Sequence, residues 1–292
     1  MNSQIEKRKV TSSITLLDAA GVPLSNHVVT VAQTQHKFLF GTAAFDTVPL
    51  ASGEYSGKNL ELAQIRADKL TGLFNAATLP FYWGQFEPVH GQPRTEALRR
   101  AAQWCVDHNL KVKGHPLTWH TLCADWLLPL SNAEILKEQK ARIRREVSGF
   151  KGLIDMWDVI NEAVIMPVFD KYDNGITRIC KEMGRIPLIR TVFETARAEN
   201  PEATLLINDF DMSDAYDILV EGCLEAGIKF DAIGLQSHMH QGYWGVEKTL
   251  KILERFSRFN LPLHFTETTL VSGHLMPPEI VDLNDYQVKD WP

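Results

Sequence analysis

The sequence predicts an α/β fold in which a parallel sheet and its covering helices form a β/α barrel. Three observations predict it. Short apolar runs alternate with amphipathic stretches along most of the chain, the signature of repeated strand–helix units. No glycine-rich phosphate loop follows the first run, which argues against a doubly wound sheet. Polar and aromatic residues gather after many different runs, and a barrel builds its site from the C-terminal ends of many strands.

The elements follow in order. "MNSQIEKRKVTSS" at the start has charges but no apolar run behind them, so it does not read as a signal peptide. On that basis the chain as given reads as cytoplasmic, and as secreted if a leader precedes it. From Ser12 to Gln35, two β-branched runs flank "DAAGVPL", which is hairpin grammar. Residues 1–37 are therefore expected to form a β-hairpin extension packed on a barrel of residues 38–292. The strands are expected at 38–44, 73–79, 111–117, 156–161, 204–209, 230–236 and 262–267. Amphipathic helices are expected at 95–109, 131–150, 186–200 and 245–260, where apolar residues recur three and four apart. After the seventh strand, "TTLVSGHLMPPEIVDLNDYQVKDWP" carries Pro277-Pro278 and reads as a loop over the barrel mouth. The sequence is thus expected to supply seven strands, leaving strands one and seven as unpaired edges.

Composition removes several functions. The 292 residues are 45% hydrophobic and 23% charged, with a net charge of −6. A mildly acidic chain gains nothing by neutralising phosphates, so nucleic acid is not an expected partner. No apolar stretch approaches a membrane span, so no membrane partner is expected. The four cysteines form no C-x-x-C pair and signal no zinc site. "SHMH" has metal-compatible His-x-His spacing but no matching carboxylate set, so no metal is expected.

The strand ends carry the chemistry. The third ends in "GHPLTWH" with His115, Trp119 and His120. The fourth, "MWDVIN", runs into Asn161-Glu162, its Trp157 and Asp158 lying inside the strand and reading as structural. The sixth ends in "GLQSHMH" with Gln236, His238 and His240, and the seventh in "HFTETT" with Glu267. In a barrel these ends converge, so Glu162 and Glu267 are expected to face one another. Indole rings stack on sugar faces while amides and imidazoles bind hydroxyls. Paired carboxylates in such a pocket fit glycoside hydrolysis, one as acid and the other as nucleophile or base.

"WDVINEA", "GHPLTWH", "LLINDFDMS", "IGLQSHMH" and "HFTET" occur in the order found in glycoside hydrolase family 10, the endo-β-1,4-xylanase family, and "FNAATLPFYWGQFEPVHG" is similar to its second-strand segment. The resemblance runs from about Phe38 to Leu270. It implies a (β/α)8 TIM barrel acting on xylan or a related β-1,4-glycan with retention, and needing no cofactor. By position, Glu162 matches the acid/base and Glu267 the nucleophile. Asn161 matches the residue on the sugar's 2-hydroxyl. His115, Trp119 and Gln236 match the pocket beside the cut, His238 the histidine that bonds the nucleophile, and Trp83 the tryptophan of the second-strand segment, a further substrate contact. The chain departs from the family in three places. Pro80, Phe81 and Tyr82 replace polar groups before that tryptophan, Thr269 stands where an aspartate usually pairs with the histidine, and the family's eighth strand and last helix are not expected in this chain. These departures keep a second reading open, a non-catalytic carbohydrate-binding barrel or inactive fragment.

Overall fold

A computed structural model describes residues 11–34, 37–271 and 273–280. The chain divides into two compact units, Met1–Phe38 and Leu39–Pro292. In the first, Asp18 closes a tight turn: its carboxylate accepts from the Ala20 and Val22 amides, and one antiparallel bridge joins Leu17 to Pro23. Among the described residues of this unit, the segment expected to form a hairpin shows this single bridge and no regular strand.

The second unit is a seven-stranded parallel sheet in sequential order: β1 Gly41–Ala43, β2 Ala76–Pro80, β3 Lys111–His115, β4 Met156–Asn161, β5 Thr204–Asp209, β6 Ala232–Met239 and β7 Leu263–Leu270. Sequential parallel order with a helical crossover between strands is the winding of a β/α barrel. β4 and β5 are buried over five of their six residues, which is why they read as continuous apolar runs. Among the described residues β1 pairs only with β2 and β7 only with β6, so both present the unpaired edges the sequence predicts.

The boundaries shift for local reasons. β1 is shorter than expected, and Leu73, expected to open β2, instead ends the helix Gly57–Leu73. β3 stops at His115 because Pro116 has no N–H to give the ladder. β7 continues to Leu270, so Thr268–Leu270 belong to the strand and not to a loop. Beyond it, the Met276 amide donates to the His240 carbonyl and the Gln241 side chain donates to the Pro277 and Ile280 carbonyls. That much of the expected mouth loop lies against the end of β6; residues 281–292 lie outside the described residues.

Helix Asn132–Gly149 starts on a capping box: Ser131 Oγ accepts from the Glu134 amide and the Glu134 carboxylate accepts from the Ser131 amide. Its Arg142 is fully buried and donates to the carbonyls of Phe81, Pro116 and Leu117, fixing the chain after β2 and β3. Trp157 fills the core, and Gly114 on β3 is what admits it, since a Cβ at Gly114 would lie 2.1 Å from the indole. Among the described residues no helix is long and apolar enough to cross a membrane.

Candidate active site

Glu162 follows the last residue of β4. Its amide donates to the Asn208 carbonyl on β5 and its backbone turns to φ 57°. Glu267 lies within β7 at φ 52°. Between β6 and β7 the register slips by one residue: Gln236 pairs with Thr266 and His238 with Thr269, so Ser237 opposes both Glu267 and Thr268. Such a bulge re-aims a side chain. A left-handed backbone at a glutamate costs of order 1–3 kcal/mol, so at both positions the surrounding bonds hold a conformation the residue itself disfavours.

An amide chain links the two acids. Gln236 Nε2 donates to Asn161 Oδ1 (3.0 Å) and to Glu162 Oε1 (3.4 Å). Asn208 Nδ2 donates to the same Asn161 oxygen (2.8 Å) and to Glu267 Oε1 (2.7 Å). Asn208 cannot flip without loss, because Thr266 Oγ1 donates to its other end at 2.6 Å. Gly234 makes room for it; a Cβ there would sit 2.2 Å from Asn208 Oδ1.

The remaining partners differ. Trp119 Nε1 donates to Glu162 Oε2 at 2.8 Å, and His120 Nε2 lies 3.8 Å from that oxygen. Burial drives the His120 pKa down to about 4, so it adds no charge there. Burial is also the main cause that lifts Glu162 to about 8; the carboxylates of Glu267 and Asp209 add to it, against the bonds from Trp119 and Gln236. Asp209, itself pushed up to about 7 by burial, accepts from the Val164 and Asp211 amides.

Glu267 is partly buried, and its desolvation alone would raise it. The bond from His238 Nε2 (3.2 Å) and the charges of His115 (Nε2 at 3.8 Å) and His238 outweigh that and hold it below the ordinary carboxylate value. His238 Nδ1 in turn lies 3.1 Å from Thr269 Oγ1. His115 is oriented from behind. Its Nδ1 and Lys113 Nζ both reach Asp158 Oδ2 at 2.7 Å, and Asp158, although buried, stays ionised at about 2 because Lys113 and His115 overcome its burial.

Seven of the eight candidates therefore meet: His115, Trp119, Asn161, Glu162, Gln236, His238 and Glu267. Trp83 does not join them. It packs in the core with 5% exposure, donates Nε1 to Glu87, and lies under the Arg142 guanidinium at 5.0 Å. A short helix begins at Trp83, and its first turn sends that side chain inward. The neighbouring Tyr82 takes the pocket position, with its ring 5.7 Å from both His115 and Trp119. Sequence reasoning also passed over Asn208. Its signal was there: β5 ends in Asn208-Asp209 just as β4 runs into Asn161-Glu162. Asp158, read as structural, reaches the site through His115.

The arrangement holds one carboxyl protonated and the other ionised near neutrality, in a pocket walled by aromatic rings and amides. The family model for Glycosyl hydrolase family 10 matches residues 35–276. The chain belongs to glycosyl hydrolase family 10. Two relatives are an endo-1,4-beta-xylanase/feruloyl esterase of Xylanibacter ruminicola and endo-1,4-beta-xylanase B of Thermotoga neapolitana. The first is 27% identical over 68% of this chain and 30% of its own length; the second is 27% identical over 63% and 54%. This chain thus spans about half or less of either relative. A solved family 10 structure from Paenibacillus barcinonensis superposes with a TM-score of 0.66 at 23% identity, covering 79% of this chain and 69% of that one, which shows the shared barrel fold.

Proposed function

We propose that this chain is a glycoside hydrolase that cleaves β-1,4-linked xylan with retention of configuration. The observation that carries the reading is the split of two linked glutamates, Glu162 up to about 8 and Glu267 below the usual range. Between those values a proton donor and an ionised nucleophile coexist, the pairing double displacement needs. The names of the two xylanase relatives support the substrate class.

In the first step Glu267 attacks the anomeric carbon while Glu162 passes its proton to the departing oxygen. The product is a glycosyl ester on Glu267. In the second step Glu162, now a carboxylate, takes a proton from water as that water attacks the same carbon, and Glu267 is released. Asn208 and His238 hold the attacking carboxylate, and Asn161 and Gln236 present amides to the sugar hydroxyls. Trp119 and Tyr82 offer ring faces to the apolar side of the sugar. No cofactor enters these steps.

Reducing-sugar release from xylan and a panel of other β-glycans tests activity, and proton NMR of the first product tests the stereochemistry. The expected result is release from xylan with the β anomer appearing first. An α anomer first means that water attacks directly and the assignment of Glu267 fails. Binding without turnover would favour a carbohydrate-binding barrel.

A further inference from the structure

Of the three residues that break the family pattern before Trp83, one reaches the pocket. Phe81 is fully buried against Phe86, Phe150 and Trp157, and Pro80 is the last residue of β2. Tyr82 stands edge-on to His115 at 87°, tilted against Trp119 at 43°, and backed by Phe45 at 5.9 Å. The ring is thus wedged between the histidine that reaches Glu267 and the indole that bonds Glu162.

Among the described residues nothing hydrogen-bonds the Tyr82 phenol oxygen, and Tyr82 is only partly buried. Burial, then the negative charges of Glu267, Asp158 and Glu162, hold the phenol protonated far above neutrality. It is therefore an uncharged O–H donor in the field of both acids. A nucleophile attacks the anomeric carbon of the sugar on the non-reducing side of the scissile bond. Groups clustered about Glu267 face that sugar.

We propose that Tyr82 is a specificity-determining residue. Its ring walls the pocket for the sugar bound against Glu267, and its hydroxyl donates to one hydroxyl of that sugar. This assignment rests on the glycosidase reading for the orientation of the sugar.

The test is titration calorimetry of the wild-type chain and Tyr82→Phe with a thio-linked xylobiose, which cannot be hydrolysed, and with its monodeoxy analogues in the non-reducing sugar. Hydrolysis of an aryl β-xyloside is followed in parallel. Loss of one neutral hydrogen bond should weaken binding of the parent about five- to tenfold. One monodeoxy analogue should bind both proteins equally, since it lacks the hydroxyl that Tyr82 serves. Matching thermal unfolding of the two proteins excludes a folding defect, because the ring is kept. Equal affinity of the two proteins for the parent, or the same loss for the parent and every analogue, overturns the proposal. Wild-type binding that depends on Tyr82 without any hydrolysis would sink the glycosidase reading and leave the Tyr82 contact standing.

Discussion

Glu162, just past β4, and Glu267, within β7, share the same left-handed backbone region, and both are tied to Asn161 within two hydrogen bonds. Their neighbours differ. Glu162 has an indole N–H, a neutral histidine and a second carboxyl, Asp209, near it; Glu267 has two imidazoles and an amide. Burial raises both, and only Glu267 has basic partners close enough to reverse the sign. One residue type thus takes two protonation states because of what the adjacent strands deliver: β3 and β6 bring His115 and His238 to β7, while β4 meets Trp119 and the carboxyl of Asp209.

The comparison breaks most visibly if the proposed nucleophile is removed. Glu267→Ala should lower kcat by at least about 10⁴-fold on every substrate, activated or not, because in the proposed mechanism Glu267 alone forms the ester. A residual rate within a hundredfold of wild type would place the nucleophile elsewhere.

A smaller effect sharpens it. The kcat/KM profile should be bell-shaped, with the acid limb set by Glu267 below the ordinary carboxylate range and the alkaline limb near pH 8 set by loss of the Glu162 proton. The Trp119 N–H favours the ionised form of Glu162, so Trp119→Phe should move the alkaline limb upward and leave the acid limb in place. A downward move would mean that the indole bond stabilises the protonated acid.

The smallest effect is on stability. Glu162 has a folded-state pKa of about 8 against an ordinary 4.5, so between those values the folded chain holds a proton the unfolded chain has released. Stability contributed by this group is full below pH 4.5 and declines as pH rises through 8. Glu162→Gln removes that dependence. Its melting temperature should exceed wild type by a few degrees at pH 8.5 and match it at pH 4, as read by circular dichroism. Asp209, raised to about 7, leaves a residual slope of the same sign in both proteins.

The barrel was legible because strand–helix alternation is written in hydrophobic period, and β4 and β5 are apolar enough to stand out. Seven candidate residues were legible as a cluster because they lie at or near the C-terminal parts of the strands, where a barrel gathers side chains. Trp83 and Tyr82 were not separable by sequence. They are neighbours, and which one faces the pocket depends on where a four-residue helix starts. The slip between Gln236 and His238 was also silent, since one extra residue in β7 leaves no compositional trace. It is nevertheless what aims Glu267.

The proposed division of labour between the two acids is tested most directly by azide rescue of Glu162→Ala and Glu267→Ala on an aryl β-xyloside with an activated leaving group. Such a substrate needs no protonation, so Glu162→Ala should still form the glycosyl ester and stall there. Azide, which needs no general base, should then restore turnover and yield a β-xylosyl azide. Glu267→Ala with azide should give no β product. Rescue of the Glu267 variant to a β-xylosyl azide, with none for the Glu162 variant, would contradict the assignment and exchange the two roles.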